Sequence, residues 1–319
     1  MDRINDPCSV RATGRARAFV QNRSLNMAGI RIDSFFEEQY NVAARRDGLE
    51  DVMGQWNERS RIYRVSSPDY LKCRYGPGER EMLDLFPSAR KGASIIVYIH
   101  GGYWQRGDRS MYSFLAGPFV SSGLNVAVLG YPLCPAATLS EIVESIRRSI
   151  AWLWQNARKM DMDADRMVLI GHSAGGHLAT VALTTRWPAV APGLPDSILG
   201  AVMAISGLYL LEPLRSTTIA TPLNLDDNEV GLLSPALHEP LADIPVAVVL
   251  GGAETGEFFR QADILEDRWR RFGMNPVRHV EPDVDHFDVI NRLASPESAL
   301  FQLAVELAAT KTGDGSDNR

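Results

Sequence analysis

Ser173 stands in Gly171-His172-Ser173-Ala174-Gly175, between the short apolar run Val168-Leu169-Ile170 and the start of a helical pattern. A G-x-S-x-G pentapeptide between strand and helix marks a serine held on a sharp turn with its hydroxyl exposed, able to attack a carbonyl. Gly171 and Gly175 are the residue type such a turn needs, because a Cβ at either place would crowd neighbouring backbone. Alone, the pentapeptide also fits a glycine-rich turn with an incidental serine. The partners of an activated serine must therefore be found elsewhere in the chain.

Those partners are a base, an acid that orients the base, and donors for the oxyanion. With this kind of turn they follow the order serine, acid, histidine, and the base lies on a loop after the last strand. Of the six histidines, His100 precedes a glycine pair, His172 and His177 belong to the turn, and His238 lies in an insertion. His279 falls inside the expected last strand. His286, in Asp283-Val284-Asp285-His286-Phe287, follows that strand and is the candidate base; its alternative role is a solvated loop histidine.

The acid is expected after an apolar strand at 246–250, which runs into Gly251-Gly252-Ala253-Glu254-Thr255-Gly256-Glu257. Glu254 is the first carboxylate there and the candidate acid. Glu257 is the close competitor, although acids are common at helix starts anyway. Asp285 is less suited because it adjoins His286. For the oxyanion, Ile99-His100-Gly101-Gly102-Tyr103-Trp104 offers the N–H groups of Gly101 and Gly102, and Ala174 after the serine offers a third. Tyr103 and Trp104 are expected to line an acyl or aryl pocket; core packing is the alternative.

The elements that would carry these residues alternate along the chain. Asp33 or Ser34 can cap a first helix with Phe35, Phe36 and Tyr40, and a second helical pattern covers residues 49–65. Two short extended runs, 70–75 and 81–86, flank Gly76-Pro77-Gly78 and read as an antiparallel hairpin. Strands are then expected at 94–99, 124–129, 167–170, 198–205, 246–250 and 277–280. Helices are expected at 110–122, 139–157, 257–272 and 295–309. This alternation requires an α/β fold with a mainly parallel sheet covered on both faces, its strand ends lining one edge. Residues 208–241 interrupt the alternation, and an irregular insertion after a strand end suggests a lid or substrate-binding loop.

At 319 residues, 45% hydrophobic and 23% charged, the chain has the make-up of an ordinary globular protein. A net charge of −6 and a pI near 5.6 argue against a nucleic-acid surface. No apolar run approaches the roughly 18 residues of a membrane span. Cys8, Cys73 and Cys134 have neither disulfide nor zinc-ligand spacing, and no His/Asp cluster suggests a metal. The expectations are a cytoplasmic setting, no cofactor or metal, and a small amide or ester as partner; a homodimer is compatible with the sequence. Residues 1–31, rich in arginine, and 310–319 read as disordered tails around one domain at 32–309, with Met27 a second candidate start.

Taken together, His100-Gly101-Gly102-Tyr103-Trp104-Gln105, Gly171-His172-Ser173-Ala174-Gly175, Glu257-Phe258-Phe259-Arg260-Gln261 and Asp283-Val284-Asp285-His286-Phe287 resemble the arylformamidase (kynurenine formamidase) branch of the α/β-hydrolases. Glu37-Glu38-Gln39-Tyr40-Asn41 is similar to that branch's opening helix, and His172 stands where the related hormone-sensitive-lipase group usually has aspartate. The resemblance implies an α/β-hydrolase fold with Ser173 as nucleophile, His286 as base, and Gly101, Gly102 and Ala174 as oxyanion donors. The branch usually has aspartate where this chain has Glu254, so the acid departs from the pattern. The implied activity is cofactor-free hydrolysis of N-formyl-L-kynurenine or a similar aryl amide through an acyl-enzyme. A carboxylesterase or amidase for another metabolite, and a receptor that binds without turnover, stay open as alternatives.

Overall fold

The computed structural model describes residues 23–25 and 31–310. The expected tails, 1–31 and 310–319, lie outside the described residues except for Arg23–Leu25, Arg31 and Thr310. Arg23–Leu25 pairs antiparallel with Arg31–Asp33, so that short part of the expected tail is strand.

Eight strands form the central sheet: β1 (Leu71–Arg74), β2 (Met82–Phe86), β3 (Ala93–Ile99), β4 (Asn125–Leu129), β5 (Met162–His172), β6 (Ala201–Ile205), β7 (Val246–Gly251) and β8 (Val277–Glu281). Their order across the sheet is β1-β2-β4-β3-β5-β6-β7-β8. Only β2 runs against its neighbours; every pair from β4 to β8 is parallel. The strands from β3 onward therefore share one C-terminal edge.

Both faces of the sheet are buried from β2 to β7, which explains why these strands read as near-continuous apolar runs, while the edge strands β1 and β8 are mostly exposed. In β3, Ile95, Val97 and Ile99 enter one core while Ile96 and Tyr98 enter the other. The first core is covered by α4 (Leu139–Ala157), α5 (Ala174–Leu183) and α6 (Gly256–Arg271). The second is covered by α2 (Leu49–Ser66), α3 (Ala116–Ser121) and α8 (Ala299–Ala309), through Trp56, Phe119 and Phe301. α4 starts where Thr138 and Glu141 form a reciprocal capping box. α1 (Ser34–Tyr40) is capped by Asp33, which accepts from Phe35 N at 3.0 Å. α7 (Val289–Leu293) is a short helix that the sequence reading did not resolve.

Three expectations need correction. The helix expected at 110–122 is two 3-10 turns followed by α3, because Ser60 of α2 takes over the backbone there: its Oγ donates to Met111 O at 2.8 Å and accepts from Phe114 N at 3.1 Å. The helix expected from 295 starts at Ala299, where Ser298 caps it. The insertion at 208–241 is not irregular. It folds into two short α-helices at Ala220–Leu223 and Asp227–Leu233 and two 3-10 helices at Glu212–Ser216 and Pro235–Leu237, with Leu208, Leu211, Leu214 and Leu233 buried. Its leucines and prolines were a packing signal. Among the described residues no helix is long and apolar enough to cross a membrane.

Candidate active site

Ser173 sits between β5 and α5 at φ 56°, ψ −118°, a conformation that L-residues rarely adopt and that a strained turn must impose. The imposing contacts are identifiable. A Cβ on Gly171 would lie 2.0 Å from Gly175 O, and one on Gly175 would lie 2.0 Å from Ile99 O. Only glycine lets the turn close onto itself and onto the end of β3. Ser173 N donates to Ile205 O at 2.8 Å, tying the turn to the end of β6.

The segment after β3 lies directly against this serine. A Cβ on Gly101 would meet Ser173 Cβ at 3.0 Å, so a larger residue would push the two apart. Gly102 has φ 118°, and the next two residues, Tyr103 and Trp104, also have positive φ. Gly102 O accepts from Gln105 N and Arg106 N, both at 3.0 Å, which closes the segment into a tight turn. His100 anchors it from below: its Nδ1–H donates to Gly101 O at 2.7 Å, and its ring stacks on Tyr131 at 4.3 Å. Burial pushes His100 down to about 4, so it acts as a neutral donor. Ala174 opens α5, where the first N–H groups of a helix have no intrahelical acceptor.

Glu254 and His286 meet across the edge of the sheet. His286 Nδ1–H donates to Glu254 Oε2 at 2.9 Å, and both side chains are buried, at 5% and 0% exposure. The other carboxylate oxygen, Oε1, accepts from Gly251 N at 2.8 Å and from the Ser206 hydroxyl. The histidine loop packs onto the turn after β7, where Gly252 N donates to Glu281 O at 2.7 Å and Ala253 N to Val284 O at 3.0 Å. Phe258 and Phe287 flank the His286 ring at 4.6 and 5.3 Å. Among the described residues no hydrogen bond yet joins Ser173 to His286, and such bonds commonly tighten only with substrate in place.

The competing carboxylates are engaged elsewhere. Glu257 accepts from Tyr40 OH at 2.6 Å and pairs with Arg260, which staples α1 to α6. Asp285 accepts from Phe287 N and Asp288 N and pairs with Arg46. Neither reaches the imidazole.

Ser173 and His286 line one cavity of about 130 Å³, together with Gly101, Gly102, Tyr103 and His172. Its remaining wall comes from α2, through Met53 and Trp56, and from Tyr112 and Phe287. No residue of the insertion at 208–241 lines it. The lid expected there is thus replaced by N-terminal segments, which no local pattern places over the serine. Tyr103 does line the cavity, held by its hydroxyl, which donates to Tyr40 O at 3.0 Å. Trp104 does not. It is fully buried with its ring edge against His177 at 5.0 Å, because positive φ at both residues turns consecutive side chains apart. A wider surface groove of about 870 Å³, bordered by Glu81 and Arg148, contains none of these groups.

Two further charged or polar groups belong to the cavity. Arg106, on its exposed rim, lies 5.6 Å over the Tyr103 ring and is the one lysine or arginine among the lining residues, which include no carboxylate. Tyr112 is buried, with its hydroxyl held neutral by burial. The sequence reading missed both, since neither type carries a motif.

The chain is similar to several known proteins. The family model BD-FAE matches residues 83–189. The kynurenine formamidase of Drosophila melanogaster is 30% identical over 236 residues, covering 70% of this chain and 77% of that protein. The kynurenine formamidase of Salmo salar is 29% identical over 248 residues, covering 74% and 81%. A solved structure described as a candidate thioesterase from a Silicibacter species superposes with a TM-score of 0.75 at 32% identity, covering 85% of this chain and 98% of the other.

Proposed function

The chain belongs to the kynurenine formamidase branch of the α/β-hydrolases and is a hydrolase of small amides or esters, and on that premise we propose that it cleaves aryl formamides through a formyl-enzyme on Ser173. The observation that carries this reading is the meeting of Ser173, Gly101 and His286 at one cavity, with Glu254 on the far nitrogen of the imidazole.

In this mechanism His286 Nε2 takes the Ser173 proton as Oγ attacks the formyl carbon. The carbonyl oxygen becomes an oxyanion and accepts from the N–H groups of Gly101, Gly102 and Ala174. Removing one such donor typically costs about 2.7–4 kcal/mol of barrier. Collapse of the tetrahedral intermediate breaks the C–N bond, and the His286 proton goes to the leaving arylamine. Water then attacks the formyl ester, giving its proton to His286. Formate leaves as Ser173 recovers that proton. The Glu254 carboxylate stabilises the imidazolium that forms twice in the cycle.

The cavity suits this substrate class. Trp56, Tyr103, Tyr112 and Phe287 offer aromatic walls for an aryl ring. Arg106 offers a counter-ion to an acidic group at the open end, with no carboxylate among the lining residues, as an N-formylkynurenine-like substrate requires. The esterase reading keeps support from the thioesterase-type structural match, since the same groups cleave a short ester equally well.

The deciding experiment compares kcat/KM on aryl formamides, acyl anilides and short-chain esters, with phosphonate labelling of the nucleophile. We expect aryl formamides to lead and Ser173→Ala to abolish both turnover and labelling. Turnover retained by Ser173→Ala sinks the mechanism, and a clear preference for esters sinks the substrate assignment.

A further inference from the structure

Ser206 follows β6 and has φ 52°, a left-handed backbone conformation at a residue that is not glycine. Its own N–H donates to Val249 O at 2.8 Å, and the residue before it, Ile205, accepts from Ser173 N at 2.8 Å. Its side chain is fully buried and donates to Glu254 Oε1. Gly207 follows, so the chain has a residue free of strain at φ > 0 next door yet carries serine at this one.

We propose that Ser206 is the positioning residue that lets a glutamate serve as the acid of this site. A glutamate has one more rotatable bond than an aspartate, so its carboxylate must be fixed by more than its own backbone. Here Oε1 is held by two donors, Gly251 N at 2.8 Å and the Ser206 hydroxyl, which leaves Oε2 on His286 Nδ1 at 2.9 Å. The two donors come from the ends of neighbouring strands, β7 and β6, whose register is set by the sheet. The positive φ at Ser206 turns the serine out of the strand and toward the carboxylate. The strain is retained because the hydroxyl acts on the acid, an arrangement typical of residues that serve a site. The proposal rests on the assignment of Ser173, Glu254 and His286 made above.

The test uses Ser206→Gly, which removes the hydroxyl and at the same time suits φ 52° better than serine does. Loss of one hydrogen bond to a charged group predicts a fall in kcat of roughly tenfold to a hundredfold, with KM within about twofold. Ser206→Ala should lose a similar factor in kcat but melt lower. The same substitution is then made in the Glu254→Ala enzyme, where Ser206 has no carboxylate to hold. There Ser206→Gly should cost less than about twofold further, because residues that act through one another are non-additive. An unchanged kcat in Ser206→Gly overturns the proposal, as does a full additional loss in the Glu254→Ala background. Ser173→Ala, run in parallel, separates the outcomes: if it stays active, the serine mechanism itself has failed, whatever Ser206 does.

Discussion

His172 donates from Nε2 to the backbone carbonyl of His286 at 2.7 Å, with the two rings 4.7 Å apart. The residue before Ser173 thus holds the loop that carries His286. Burial, and secondarily the neighbouring His286, keep His172 well below its usual range, so it remains a neutral donor. Hydrolases with aspartate at this place cannot make that bond with a carboxylate, which only accepts.

The first prediction follows from that bond. His172→Phe leaves a buried carbonyl without its donor and should lower kcat about tenfold or more. His172→Gln keeps an N–H and should retain more activity than the phenylalanine variant. Equal losses in the two, measured on folded protein, would contradict a hydrogen-bonding role.

A second prediction concerns Gly171 and Gly175. Each would bring a Cβ to 2.0 Å from a backbone carbonyl oxygen, and backbone cannot step aside as a side chain can. Gly171→Ala and Gly175→Ala should each destabilise the fold by about 4 kcal/mol or more. Urea unfolding midpoints near the parent's would show that the turn is looser than its geometry requires.

Arg106 should read charge on the substrate rather than take part in the chemistry. Arg106→Ala is expected to reduce kcat/KM about tenfold for an aryl formamide bearing a carboxylate. Neutral formanilide should change by less than about twofold. Parallel losses on both substrates would assign Arg106 to shaping the Gly102 turn instead.

Stability should fall in mild acid. Burial holds His100 and His177 at about 4, against an ordinary 6.5. The folded value lies below the unfolded one, so on acidification the unfolded chain binds protons first. The stability tied to both histidines is present above about pH 6.5 and lost progressively toward about pH 4. Urea midpoints should therefore drop between about pH 7 and about pH 5. His177→Gln, which keeps a donor for Leu233 O, should make that drop shallower. An unchanged slope in this variant would remove His177 from the account.

Much of the site was legible because its constraints are local. The apolar runs identified the central strands β2 to β7, since burial on both faces demands largely apolar residues there, whereas the edge strands β1 and β8 are mostly exposed. The helix Leu139–Ala157 was readable to its last residue, because its stripe and its Thr138 cap are both written nearby. The boundary at Ser110–Leu115 was not, because Ser60, more than fifty positions away, takes the hydrogen bonds that a helix would have used.

What the sequence determined by itself was the fold class, the chemical type of the site and the order of its parts. Strand periodicity and glycine at Gly171, whose Cβ would meet Gly175 O, act within a few residues, where sterics and backbone angles leave few solutions. Tertiary structure decided which groups meet. It gave Glu254 rather than Glu257 to His286, since Tyr40 and Arg260 occupy the latter. It turned Trp104 into the core, set α2 rather than the insertion over the serine, and brought Ser206 to Glu254. Those outcomes depend on sheet register and on helices packed from distant parts of the chain, so no window of neighbouring residues contains them.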